Sequence, residues 1–183
     1  MHQKEKSKEE PLSKKEEFMS WVKILFVSLI IGFIITLFVK PSLVSGLSMY
    51  PTLNDGDYLM LNRMAYKIGE PEYKDVVVFE SHLPGERILV KRVIGVEGDT
   101  VKIENGEVFV NGKLLEESYV NGQLTDGEME VVVPKDSLFV MGDNRSNSLD
   151  SRYEEVGFVH EDEIIGKAMI RLLPIQNLTI TFE

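Results

Sequence analysis

Apolar positions along the chain follow two different patterns. From Ile24 to Val39 the run ILFVSLIIGFIITLFV carries no charge and no polar stripe, which predicts a helix apolar on every side. Such a helix is about 24 Å long, a little short of a bilayer core of roughly 30 Å. Extension back to Phe18 adds Trp21, suited to an interface, and Lys23, whose stem can snorkel, so residues 18–39 are expected to span a membrane. From Pro41 onward the apolar runs are short or alternating: DYLMLN, DVVVFE, RILVKRVIGV, TVKIE, EVFV, MEVVV, SLFVM, AMIRLL and LTITF. Asn105-Gly106, Asn111-Gly112, Asn121-Gly122 and Asp126-Gly127 punctuate them. The clearest unit is VKIENGEVFV, a hairpin with a two-residue Asn-Gly turn and Val101, Ile103, Val108 and Val110 alternating around it. Many short strands with glycine turns predict a mainly β domain, an antiparallel sheet system that is partly closed and barrel-like, with few and short helices.

Three segments follow: a tail over 1–17, a membrane helix over 18–39 and a β domain over 40–183. The tail is charged, contains Pro11 and lacks apolar periodicity, so it is expected to be disordered. Lys4, Lys6, Lys8, Lys14, Lys15 and Lys23 precede or open the span, which by the positive-inside rule puts the N-terminus in the cytoplasm and the β domain outside. The competing reading is a cleaved signal peptide with VSG, before Leu47, as its small-residue site, but the n-region and h-region are long for one.

Charge and cysteine count remove several functions. Lys and Glu balance within residues 1–17, so the formal net charge of -10 arises downstream. An acidic domain repels phosphate backbones, and no nucleic-acid partner is expected. Cysteine is absent, which excludes disulfides, thiol nucleophiles and cysteine-ligated metals.

Candidate chemistry centres on Ser48 in VSGLSMYPTL. A serine hydroxyl is a poor nucleophile until a base takes its proton. His2 falls on the cytoplasmic side, His82 sits in the loop SHLPGER, and His160 sits in the acidic stretch FVHEDE; none has a distinctive context. No ligand spacing makes a metal site of His160, Glu161 and Asp162. A lysine serves as base only when neutral, and lowering its pKa of about 10.4 by roughly 3 units takes about 4 kcal/mol of discrimination against the charged form. Lys91 in RILVKRVIGV meets that demand. Strand alternation puts it on a face with Leu89 and Val93, and puts Arg92 on the other face with Val90 and Ile94. Taken alone, the same strand also fits a lysine snorkelling at a sheet rim. A third segment, MGDNRSNSLDSRYEEVG, offers Asp143 or Asp150 as partner for a buried Arg92, and serines able to orient an amine.

SGLSMYPTL, GDYLMLNR, DVVVF, KRVIGVEGD and MGDNRSNSLDSR, in that order behind one N-terminal span, resemble bacterial type I signal peptidase (leader peptidase) in its short, single-anchor Gram-positive form. The resemblance runs from about residue 18 to about residue 173. It implies a membrane-bound serine endopeptidase with a Ser-Lys dyad that cuts signal peptides from exported preproteins after small-x-small sites, typically Ala-x-Ala. It implies Ser48 as nucleophile with its backbone N–H as oxyanion donor, Lys91 as general base, and Ser148 as the hydroxyl that positions the lysine. Arg92 with Asp143, and Asp150 with Arg152, match supporting ion pairs. The implied partners are preprotein signal peptides and membrane lipid; no metal or organic cofactor is required, and nothing specifies an oligomeric state. Three positions depart from the family pattern: Gly46 where some members carry a hydroxyl oxyanion donor, Glu97 where proline is common, and Ser146 where the residue is often acidic. Two rival readings are a non-catalytic membrane-anchored β-rich binding or assembly module and a Ser-Lys self-cleaving regulator, whose DNA-binding region has no counterpart in this N-terminus.

Overall fold

A computed structural model describes residues 13–85, 88–120 and 122–174. The chain divides into two units, one ending at Leu37 and one starting at Phe38. The first is helix α1, Lys14–Phe38 but for its last residue, long and apolar enough to cross a membrane. The helix begins before residue 18, where the apolar pattern alone placed it. A capping box explains the earlier start: Glu16 N–H donates to Ser13 Oγ at 3.4 Å, and Ser13 N–H donates to Glu16 Oε2 at 2.8 Å. Residues 14–17 of the expected disordered tail are therefore helical, and residues 1–12 of it lie outside the described residues.

The second unit is mainly β. Its larger sheet has seven strands: β1 (Val39–Leu43), β2 (Tyr58–Asn62), β3 (Val76–Glu80), β4 (Ile88–Gly95), β9 (Ser137–Met141), β10 (Val159–His160) and β11 (Ile164–Leu173). Their spatial order is β1-β2-β11-β3-β4-β9-β10, all antiparallel. Between β4 and β9 the chain makes a smaller antiparallel sheet of β5 (Thr100–Glu104), β6 (Glu107–Val110), β7 (Lys113–Leu114) and β8 (Met129–Val132), in the order β7-β6-β5-β8. The Asn-Gly hairpin stands as expected, with both Asn105 and Gly106 at positive φ and Val101 opposite Val110. Among the described residues one short α-helix, α2, covers Ala65–Ile68. The run LTITF lies outside the described residues.

Neither sheet closes into a barrel, which corrects that part of the expectation. Closure requires the two outer strands to pair. Here β10 has two residues, and β1 carries Pro41, which has no N–H to give a ladder and belongs on an edge.

Three apolar clusters position the site. One, including Val44, Met49, Leu53, Leu59 and Val78, lies under the segment that carries Ser48. A second joins Ile94, Phe139 and Met141 of the large sheet to Val101, Ile103 and Val133 of the small one. The sheets approach closely at Gly95, where a Cβ would fall 2.6 Å from Val101 Cγ2. The third gathers Val77, Phe79, Val93, Leu138 and Val140.

Candidate active site

The Ser48 segment leaves edge strand β1 and is pinned along its length. Val44 N–H donates to Asp57 O at 2.8 Å, Gly56 N–H donates to Val44 O at 3.0 Å, and Gly46 N–H donates to the Asp55 carboxylate at 2.8 Å. Met49 and Leu53 are buried below the loop while Leu47 and Tyr50 stay exposed, so the apolar flanks of the serine split between core and solvent. Gly46 has φ +92°, in the region that favours glycine. A serine there would be strained, which gives a backbone reason for the missing hydroxyl.

Lys91 is central in β4, paired with Val77 of β3, and only 2% exposed. Its Nζ lies 2.8 Å from Ser48 Oγ, a hydrogen-bonding distance between groups 43 residues apart. Arg92, next in the strand, projects from the opposite face and is fully buried. Its Nε and Nη2 donate to the two oxygens of Asp143 at 2.8 and 2.7 Å, and Nη1 donates to Lys74 O at 3.0 Å. The guanidinium also lies 4.0 Å from the ring centroid of Tyr119. Thr52 Oγ1 donates to the same Asp143, tying the Ser48 segment to the ion pair.

The loop after β9 supplies the rest. Asp150 accepts from Arg152 Nε at 2.8 Å and from Arg152 Nη2 at 3.0 Å, and it also accepts from the Gly142 N–H at 2.9 Å. Both ion pairs expected from the sequence are thus formed as two-pronged contacts. Ser148 is buried near Ser48, but its hydroxyl has no hydrogen-bond partner among the described residues. The expected hydrogen bond from Ser148 to Lys91 is not made; the amine is turned to Ser48 instead. Gly142 explains how the serines come together. A Cβ on it would fall 2.2 Å from Ser148 Oγ and 2.4 Å from Ser48 O, so only glycine fits between them.

A third buried pair was not foreseen. Arg145 donates from Nη1 and Nη2 to the two oxygens of Glu117, from Nη1 to Thr125 Oγ1, and from Nε to Gly142 O at 3.0 Å. Glu117 also accepts from Tyr119 Oη at 2.8 Å. Burial, then the Glu117 charge, pushes the Tyr119 hydroxyl above its ordinary range, so it acts as a neutral donor. Nothing in the sequence separates Glu117 from Glu116 beside it. Arg145 sits in a polar loop with Asp143 and Asp150 close by in sequence, so nothing there pointed to an acid 28 residues upstream.

Two clefts meet at Ser48. One of about 640 Å³ is lined by Ser48, Lys91, Ser146, Ser148, Leu149 and Tyr153 among others. The second, about 390 Å³, is lined by Pro41, Leu43, Val44, Met49, Ile88 and Val90 among others. Among the described residues backbone edges are open beside them: β9 pairs with β4 only from Arg92 onward, and β1 pairs only with β2. His82 and His160 line neither cleft; His82 Nε2 contacts Glu163 and both rings are exposed. Among the described residues no cluster of three or more histidines and acids forms a metal site.

The family model described as signal peptidase, peptidase S26, matches residues 18–173. Signal peptidase IB of Staphylococcus aureus is 37% identical over 92% of this chain and 96% of its own. Signal peptidase I S of Bacillus subtilis is 35% identical over 95% of this chain and 99% of its own. The crystal structure of a signal peptidase I from Enterococcus faecalis is 29% identical, with a TM-score of 0.47, over 53% of this chain and 95% of that one. With a family model and relatives that take in the apolar helix as well as the β unit, the chain belongs to the signal peptidase family, peptidase S26.

Proposed function

We propose that this peptidase is a membrane-anchored serine endopeptidase that removes signal peptides from exported preproteins, with Ser48 as nucleophile and Lys91 as general base. One observation carries the reading: a lysine amine 2% exposed and 2.8 Å from a serine hydroxyl that borders an open cleft. Burial disfavours the ammonium form, and a neutral amine at that distance can take the hydroxyl proton. The buried arginines do not leave net charge beside it, because Arg92, Arg145 and Arg152 each face a carboxylate.

The substrate enters as an extended strand, pairing by backbone hydrogen bonds with the open edges beside the clefts. The smaller cleft, with Val44 and Met49 in its lining, offers an apolar wall to the side chains beside the scissile bond, and steric exclusion along it would give a preference for small-x-small sites. Neutral Lys91 accepts the Ser48 proton as Oγ attacks the scissile carbonyl. The tetrahedral oxyanion is held by the Ser48 backbone N–H, which has no acceptor among the described residues. Protonated Lys91 then gives its proton to the leaving amine, with the Ser148 hydroxyl available to accept from the ammonium. Water hydrolyses the ester with Lys91 again as base. The nine residues from Val39 to Ser48 reach at most about 30 Å, which keeps the nucleophile near the outer membrane surface if residues 18–39 span and the N-terminus is cytoplasmic.

N-terminal sequencing of a preprotein processed by the full-length protein in detergent tests this. Cleavage after a small-x-small site is expected from the natural protein and from His82→Ala and His160→Ala, and none from Ser48→Ala or Lys91→Ala. Normal turnover by Ser48→Ala or Lys91→Ala ends the dyad assignment. Loss of activity in one histidine variant alone would restore a serine–histidine mechanism.

A further inference from the structure

The oxyanion donor is a main-chain group, so something must fix the plane of its peptide. The Ser48 N–H belongs to the peptide unit whose carbonyl is that of Leu47. That unit is trans, so the carbonyl and the N–H point in opposite directions. Whatever holds Leu47 O therefore aims the Ser48 N–H. Two donors do so among the described residues: the Tyr50 N–H, in a local turn, at 3.1 Å, and one side chain, Asn144 Nδ2, at 3.0 Å. Leu47 O can only accept, so the amide nitrogen must face it. The backbone N–H of the same Asn144 donates to Ser48 O at 3.0 Å, holding the next peptide unit. One residue thus grips the nucleophile on both sides. Its own place is set by neighbours on the chain: Asp143 is locked by Arg92 and Thr52, and Arg145 by Glu117.

We propose that Asn144 is a positioning residue for the oxyanion site: its side-chain amide aims and polarises the Ser48 N–H. A hydrogen bond accepted by a peptide carbonyl draws electron density from the N–H and strengthens it as a donor. The effect matters most when negative charge develops on the substrate oxygen, and little when the neutral substrate binds. The role is larger in this chain than where a hydroxyl stands two residues before the nucleophile. Here that position is Gly46, at φ +92°, with its N–H already given to Asp55. The inference rests on the Ser48–Lys91 reading.

Asn144→Ala and Asn144→Leu test it in the full-length protein in detergent. Both remove the amide donor without adding charge, both keep the backbone N–H contact to Ser48 O, and leucine roughly keeps the volume. The readouts are kcat and KM on a preprotein, inhibition by a peptide aldehyde ending in an Ala-x-Ala sequence, which forms a tetrahedral adduct with the nucleophile, and the thermal midpoint. Removal of an oxyanion donor itself costs roughly 10²–10³ in kcat, so misaiming one is expected to cost about tenfold. The proposal predicts that kcat and aldehyde affinity fall in parallel while KM and the thermal midpoint hold. It is overturned if kcat and aldehyde affinity stay at the natural level, if KM rises with kcat unchanged, or if stability falls in step with activity in both variants. A Ser48→Ala control separates the two levels: activity in that variant removes the underlying mechanism, whereas an inactive Ser48→Ala beside fully active Asn144 variants removes only the role of Asn144.

Discussion

At the residue scale, the proposed mechanism depends on one amine kept out of water. Lys91→Arg keeps a basic side chain of similar length, but a guanidinium does not deprotonate near neutral pH. Loss of a positioned general base is expected to cut kcat by roughly 10²–10⁴, read as preprotein cleavage by Lys91→Arg and Lys91→Ala beside the natural protein. Gly46 gives a prediction of the opposite kind. Restoring a hydroxyl with Gly46→Ser puts a side chain at φ +92°, costing about 1–2 kcal/mol. A lower thermal midpoint and no gain in kcat are expected; a gain in activity at unchanged stability would contradict the backbone account of that position. The pairing of Ser48 with Lys91 was expected from the resemblance of five segments in order, since the apolar strand around Lys91 taken alone also fits a lysine at a sheet rim. Asn144 was not, since its partners are backbone carbonyls 96 and 97 residues away in the chain, which side-chain chemistry alone does not flag.

At the element scale, the loop after β9 is held by charges facing it from other elements. Glu117→Gln leaves the fully buried Arg145 guanidinium without a counter-ion, a loss of about 3–5 kcal/mol. Chemical denaturation should report that loss, and Glu117→Gln together with Arg145→Met should recover part of it. Two glycines separate packing from catalysis. Gly142→Ala and Gly95→Ala both force a Cβ inside van der Waals contact, the first against Ser148 and Ser48, the second against Val101 and Val133. Both are expected to destabilise, but only Gly142→Ala should lose kcat by more than the remaining folded fraction explains. The strands of the second unit were mostly readable from alternation. The exceptions are strands β1, β7 and β10 and the start of β11. β1 falls where the apolar span was expected to stop, and two-residue strands are defined by their partners rather than by their own pattern. Openness of the sheets was unreadable for the same reason: pairing of outer strands is a tertiary fact, and alternation is the same in an open sheet as in a closed one.

At the scale of the whole molecule, α1 and the β unit carry separate parts of the function. The helix is apolar on all sides and long enough to span, and the charge preceding it argues for a cytoplasmic N-terminus. Protease added outside intact spheroplasts should therefore remove a C-terminal tag and spare an N-terminal one; the reverse pattern would put the site on the wrong side for exported substrates. The claim on which all of this rests is that Lys91 works as a neutral amine, and the pH dependence of kcat/KM for preprotein cleavage tests it most directly, because that quantity reports ionisations of the free enzyme. Activity should be present above the pKa of Lys91 and fall as pH drops through it. The fall should follow a single ionisation well below the roughly 10.4 of a free lysine and be unaltered in His82→Ala and His160→Ala. An acidic limb that disappears in a histidine variant, or a profile that Lys91→Ala reproduces at full height, would contradict the account.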